Sequence, residues 1–318
     1  MVVLDRLNFR IHDVHVDDFE EFNRDLDKLE LLGVFNIHRD IGEGASDYKY
    51  EVRLGRGDGA VFVGYQHNSI NPKVANERFD MKIEFNPSKH DFKANKMFWV
   101  CLKRFIDFRK SIKSVDLAFD FPHDIENVIP VSLTGKRLHK YKSTFYYGER
   151  KKHGYLKVYD KVEEETKELK KRVRRAKGEE KERLKRELEE RLREKKTRVE
   201  YTVVFADPVT LQVFQSFDSF GIDEQYAVTF CDLEKFDDEI QCYLYCIKSG
   251  FKALKDFKSR RKREKIKKAL QEVERLSFDS LYRESKKQIT DRVKKCLNFE
   301  WDKLSGFDTV IITDGFPF

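Results

Sequence analysis

The sequence predicts an α+β fold, with antiparallel sheets in a duplicated core, a charged helical insertion and a mostly helical C-terminal region. Three observations carry that expectation. Short runs alternate apolar and polar residues, as half-buried strands do. A strand, a hairpin and a further strand occur twice before residue 205. Residues 162–197 consist almost entirely of Glu, Lys, Arg and Leu, and Glu and Lys four apart favour helix.

In chain order, Asp5 to Ile11 alternates as a strand. Val16 to Leu32 has helical spacing, and Gly33 can end it. Tyr48–Leu54 and Ala60–Tyr65 flank Gly55-Arg56-Gly57-Asp58-Gly59, a hairpin signal; Gly42-x-Gly44 also reads as a turn. Met81–Phe85 is a strand stopped by Asn86-Pro87, and Asn95–Lys110 reads as a helix. The pattern then restarts. Val115–Phe121 resembles the opening strand, Phe145–Gly148 echoes Phe62-Val63-Gly64, and Arg198–Tyr201 echoes Lys82–Phe85. A duplicated β-α-β-β unit accounts for this; chance likeness of short aromatic strands is the competing account.

Thr144–Lys161 reads as a hairpin, with Gly148 and Gly154 in a basic turn. In the charged run, Leu169, Leu184, Leu188 and Leu192 give a thin apolar seam, and Gly178 can bend it into two antiparallel helices. After Phe205, Asp207-Pro208 signals a turn and a helix start. Residues 209–250 are apolar enough for packed helices, Leu270–Leu297 is amphipathic, and Phe307–Ile312 reads as a last short strand. The expected domains are 1–205, including the arm 162–197, and 206–318.

The chain has 318 residues, 40% hydrophobic and 38% charged, enough apolar residues for a core. Its net charge of +7 comes from 64 basic and 57 acidic residues, so the distribution of charge decides the partner. The densest positive run holds Lys258, Arg260, Arg261, Lys262 and Arg263, with Lys252, Lys255, Lys265, Lys267 and Lys268 around them. Only Asp256 and Glu264 oppose it in sequence, which suits phosphate contacts; a solvated basic helix is the plain alternative. Five scattered cysteines without a CxxC pair argue against a disulfide framework or zinc knuckle. No leader pattern opens the chain and no apolar run could cross a bilayer, so a cytoplasmic protein without membrane contact is expected. There is no GxxxxGK[ST] loop. Among the histidines, only His123 stands near the acids considered next.

Asp116 and Asp120 lie four apart on a strand, and so share a face with small Ala118 between them. Arg198, Glu200 and Thr202 share a face of another strand, as do Tyr155, Lys157 and Tyr159. Three acids close together would suit a hard divalent cation, Mg²⁺ or Mn²⁺. Equally, the acids could pair with Arg198, Lys157 and Lys161 as structural ion pairs. A phenol with an ordinary pKa of about 10 needs a cation or metal to act as a nucleophile.

With these residues in order, the sequence resembles the Rep_trans family of plasmid rolling-circle replication initiators, which includes relaxases of integrative elements. The likeness rests on Val115-Asp116-Leu117-Ala118-Phe119-Asp120, Thr144–Arg150, Val158-Tyr159-Asp160-Lys161 and Thr197–Tyr201. Asp5-Arg6-Leu7 and Glu84–Lys89 also fit, so the likeness spans roughly residues 5–205. It implies an RRM-like, relaxase-like core and an origin-specific enzyme that nicks and rejoins one strand through a 5′-phosphotyrosine on Tyr159. Asp116, Asp120 and Glu200 would hold the divalent metal. Lys161 and Arg150 would hold flanking phosphates or favour the phenolate, and Lys157, Arg198 and the 258–263 cluster would bind DNA. Duplex and single-stranded origin DNA, a second copy of the chain and a host helicase are the implied partners. Lys151-Lys152-His153 stands where members often carry a Ser, so the phosphate contacts of that turn do not carry over. A conjugative relaxase with the same chemistry, or a non-catalytic DNA-binding regulator, are the alternatives. The enzymatic expectation requires the Tyr159 hydroxyl to face the carboxylates and not be sealed in the interior.

Overall fold

The computed structural model describes residues 2–31, 37–41, 48–55, 59–67, 77–230, 233–272 and 276–300. Gly33, Gly42-x-Gly44, Gly57, Cys231 and the expected strand 307–312 lie outside them. The fold is mixed α+β with antiparallel sheet, as the alternating runs require. Contacts divide the chain into two units. Among the described residues, the N-terminal unit takes Leu4–Val115, Phe205–Phe217 and the chain from Lys286 to Glu300; the central unit takes Val2 and Val3, Asp116–Val204 and Asp218–Ser285. The unit boundaries fall after Val3, Val115, Val204, Phe217 and Ser285.

The N-terminal unit contains β1 (Val2–His15), α1 (Val16–Leu31), β2 (Ile37–Ile41), β3 (Tyr48–Leu54), β4 (Val61–His67), β5 (Arg78–Phe85) and α2 (Lys96–Leu102). Its strands stand in the order β2-β3-β4-β5-β1. Helix α1 buries Phe19, Phe22, Leu26 and Leu29, a stripe at helical spacing, and Phe19 stacks on Tyr65 at 4.1 Å. The helix expected over 95–110 ends at Leu102, and β6 (Lys110–Phe121) already begins at Lys110. The alternation that marks β6 therefore starts before the Val115 at which the sequence pattern restarts.

The central unit continues with β7 (Val128–Ser132), β8 (Leu138–Tyr141), β9 (Thr144–Tyr147), β10 (Tyr155–Asp160), α3 (Lys161–Glu165), α4 (Lys167–Arg175), α5 (Gly178–Arg193) and β11 (Thr197–Val209). In chain order then follow α6 (Leu211–Ser216), in the stretch the N-terminal unit takes, α7 (Ile222–Gln225), β12 (Tyr226–Phe230), α8 (Asp238–Lys248), α9 (Arg260–Glu272) and α10 (Phe278–Leu297), which crosses the boundary after Ser285. Its main strands run β6-β11-β10-β9-β8. One face buries Leu138, Phe145, Tyr147, Leu156, Val158, Val199 and Tyr201, each large apolar side chain worth about 1.5–3 kcal/mol on burial. The pair β7–β12 lies against that face: Tyr147 donates to the Pro130 carbonyl at 2.7 Å, and Tyr226 donates to that of Gly154 at 2.5 Å. Beyond β7, Ile129 and Val131 pack with Ile240, Leu244, Ile266 and Leu270 of α8 and α9.

The charged run folds as the helices α3, α4 and α5. Helix α4 buries nothing and α5 buries only Leu184, so the four-leucine seam is thinner than its sequence suggests. Gly178, at φ +57°, opens α5.

The strand orders of the two units match: first strand, last strand, then the meander in reverse. This supports the duplication and corrects one of its correspondences. Phe62–Gly64 lies in β4, the counterpart of β10, not of β9. Phe62 faces Glu84 and Gly64 faces Lys82, whereas Lys157 faces Glu200 and Tyr159 faces Arg198. The N-terminal unit therefore has glycine where the central unit has Tyr159. A Cβ on Gly64 would meet the Tyr48 ring at 2.7 Å, so an aromatic ring from β3 occupies the space. Gly64→Ala is expected to destabilise the chain by about 1–3 kcal/mol through overpacking, read as a lower urea midpoint; an unmoved midpoint would show that the ring steps aside freely.

Candidate active site

Strand β10 ends where α3 begins. Asp160 caps the helix, accepting from the Glu163 N–H at 3.0 Å, as a short acid at that position should. This cap brings Glu164, in the first turn, back over Tyr159. The Tyr159 hydroxyl donates to Glu200 Oε1 at 2.6 Å and lies 3.0 Å from Glu164 Oε2. Lys161 Nζ reaches the same Glu164 oxygen at 2.5 Å. Lys157 Nζ meets Glu200 Oε2 at 3.1 Å and sits 3.8 Å from the centre of the Tyr159 ring, a cation over an aromatic face.

The phenol thus faces a predicted carboxylate, but its side chain is only 5% exposed. One requirement of the enzymatic reading is met, and the other is not met in this conformation. Burial, more than anything, pushes the Tyr159 hydroxyl far above the ordinary tyrosine range. The Glu200 charge and hydrogen bond and then the Glu164 charge add to this, while Arg198 opposes it. Burial and the neighbouring carboxylates thus favour a neutral phenol.

Of the other predicted ligands, Asp120 is committed elsewhere. Asp120 takes a bidentate hydrogen-bonded pair from Arg198, Nε to Oδ1 at 2.6 Å and Nη2 to Oδ2 at 2.7 Å, both side chains nearly buried. Asp116 acts with Glu200 on Tyr155, whose hydroxyl is pushed up to about 12, first by burial, then by Tyr146. The ion-pair alternative is thus realised for Asp120 with Arg198 and for Glu200 with Lys157. Among the described residues, no three His, Cys, Asp or Glu side chains are arranged to hold an ion. The donor chemistry does fit a hard cation at one point, because oxygens of Glu200 and Glu164 both lie within reach of the phenol oxygen.

Arg150 is exposed in the turn before β10 and acts on Tyr155. His123 lies over Phe230, with rings 4.6 Å apart, and serves the turn. In α9 the positive charge is more balanced than its sequence suggests. Lys265 bridges Glu239 at 2.5 Å and Asp237 at 3.4 Å, acids supplied by the start of α8 and its cap. Arg263 donates to the Phe257 and Lys258 carbonyls, and Lys262 lies over the Tyr243 ring. Lys258, Arg260 and Arg261 are exposed. Glu164 is the site residue that sequence reasoning missed. Its signal, Tyr159-Asp160-Lys161 followed three residues later by an acid, is lost in a charged run where acids are common.

No family model matches the chain, and no curated protein matches it. A solved structure of a rolling circle replication initiator protein from Geobacillus stearothermophilus is similar at 11% identity, with a TM-score of 0.36 over 78% of this chain and 96% of that one. No helix among the described residues is long and apolar enough to cross a membrane.

Removing one member of the buried Asp120–Arg198 pair leaves the other charge uncompensated. Arg198→Ala is expected to cost about 3–5 kcal/mol in a denaturant titration, and Asp120→Asn in the same background should recover part of it. Absence of recovery would show that the pair is not coupled. A second expectation concerns alkaline pH. Folded Tyr159 keeps its proton above the pH, near 10, at which an unfolded tyrosine loses it. Its contribution to stability is therefore present below about pH 10 and drains as pH rises further. Stability of the native chain should fall more steeply than that of Tyr159→Phe across about pH 9.5–11; parallel profiles would contradict the buried neutral phenol.

Proposed function

We propose that this chain is a replication initiator that nicks and recloses one DNA strand through Tyr159. The observation that supports this best is the Tyr159 hydroxyl held against Glu200 and Glu164, with Lys157 and Lys161 at the same carboxylates. The ordered motifs of the sequence support the same reading. On it, the phenol passes its proton to Glu200 or Glu164 as its oxygen attacks phosphorus. The P–O3′ bond breaks, the 3′ oxygen leaves as a hydroxyl after taking up a proton, and the 5′ phosphate stays on Tyr159. Attack by a 3′ hydroxyl reverses the exchange, so rejoining needs no further energy source. Lys157, Lys161 and Arg198 would offset phosphate charge. The α3 contact must open first, since Glu164 shares the hydroxyl and the phenol is buried.

A divalent cation, Mg²⁺ or Mn²⁺, is part of the proposal. Asp116, Asp120, Glu164 and Glu200 together outweigh Lys157, Lys161 and Arg198, a balance that repels phosphate and favours a cation. Glu200 and Glu164 would hold it. Bound there, it would neutralise charge on the scissile phosphate.

Burial of Tyr159 favours a second reading, a non-catalytic DNA-binding protein. Supercoiled DNA carrying the sequence around the chain's own gene separates the two. With Mn²⁺ present, the native chain is expected to give nicked circles and a covalent adduct, and Tyr159→Phe neither, with DNA binding retained. Glu200→Ala is expected to lower nicking and Mn²⁺ affinity together. Equal nicking by the native chain and Tyr159→Phe, or DNA that stays supercoiled with both, would overturn the enzymatic reading. A transfer relaxase would give the same products, but at an origin of transfer.

A further inference from the structure

We propose that the sheet face leading outward from Tyr159 to the strand β8 is a track for single-stranded DNA, on which Tyr155, Tyr146 and Tyr141 stack bases. The identity of the strand rests on the nicking reading above; the surface itself does not. Pairing registers place these rings on one face. On β10, Tyr155, Lys157 and Tyr159 alternate with buried Leu156 and Val158. Tyr146 lies opposite Lys157, and His139 lies opposite Tyr146. Tyr141 lies opposite Thr144, two residues from Tyr146 on the same face. At strand spacings of about 4.8 Å, the track from β10 to β8 is about 10 Å wide.

The other face of these strands is spent on the core, where Leu138, Phe145, Tyr147, Leu156 and Val158 are buried. The outward rings differ. Tyr141 is 66% exposed. Tyr146 and Tyr155 are half-buried and stacked on each other, 6.4 Å apart at 27°. His139 is exposed. Rings aligned on one open face suit unpaired bases, since stacking on aromatic side chains tolerates any base. A duplex keeps its base faces to itself, and so could not use them. Charge agrees with this occupant. Lys157 lies within the track, and Arg150, Lys151 and Lys152 border it, exposed and making no ion pair among the described residues. The opposing acids are Glu149 in the turn, Glu163, which accepts from Ser143 at 3.0 Å, and, at the Tyr159 end, Glu164 and Glu200, the latter paired with Lys157, so the unpaired positive charge lies at the turn. The track ends at the Tyr159 hydroxyl, where a strand would be cut.

The test is fluorescence anisotropy of the full chain with labelled oligo-dT and with a labelled duplex, in a chelator so that no cutting occurs. Tyr141→Ala, at an exposed position that cannot unfold the chain, and Tyr146→Ala are each expected to weaken oligo-dT binding roughly five- to 150-fold. Duplex affinity should not move, and Tyr146→Phe should bind as the native chain does. Native affinity for oligo-dT in both alanine variants, or an equal loss on duplex, would overturn the track. Tyr159→Phe separates the two proposals, since it removes nicking but is expected to keep oligo-dT affinity. Tyrosine-dependent binding without any nicking would sink the nicking reading alone; nicking with binding indifferent to Tyr141 and Tyr146 would sink the track alone.

Discussion

The register between β10 and β11 is the constraint on which the site depends. It sets Tyr159 against Arg198 and Lys157 against Glu200, so phenol, guanidinium, ammonium and carboxylate are delivered to one face by backbone pairing alone. A slip of one residue in either strand would turn its two toward β7–β12 and part them from the other two. Several features hold it in place. Val158 and Val199 are fully buried on the reverse face, Asp160 turns the chain into α3, and the Lys161 N–H bonds back to the Lys196 carbonyl.

That register also explains why the two halves differ. They share a strand order, and Lys82 and Glu84 stand on β5 at the places of Arg198 and Glu200 on β11. The N-terminal copy has Gly64 where Tyr159 stands, with the Tyr48 ring in its place. The two halves thus share a scaffold, and at this position only the central one carries a phenol.

The buried phenol and the helical arm belong together. Helix α3 supplies Glu164 and is the first turn of the charged run, so the segment read as a solvated arm begins as the cover over Tyr159. Thr166 ends α3, its hydroxyl donating to the Val162 carbonyl, and α4 follows with nothing buried. Movement in that exposed part costs little core packing, and it is joined directly to the contact that seals the hydroxyl.

Local pattern fixed much of this molecule. Alternation marked β1, β3 to β6 and β9 to β11, the glycines at 148 and 154 marked the β9–β10 turn, and the shared faces of Tyr155, Lys157, Tyr159 and of Arg198, Glu200 follow from a two-residue period. What period cannot state is which partner each side chain meets. Which side chain meets Asp120, whether the α9 lysines were unopposed, and whether Tyr159 was open or covered were decided by tertiary contacts. Arg198 reaches back 78 positions to Asp120, Lys265 reaches acids at the start of α8, and Glu164 reaches Tyr159 only because a helix starts between them. Charge compensation and burial are properties of packed neighbours, and only the tertiary structure chooses neighbours.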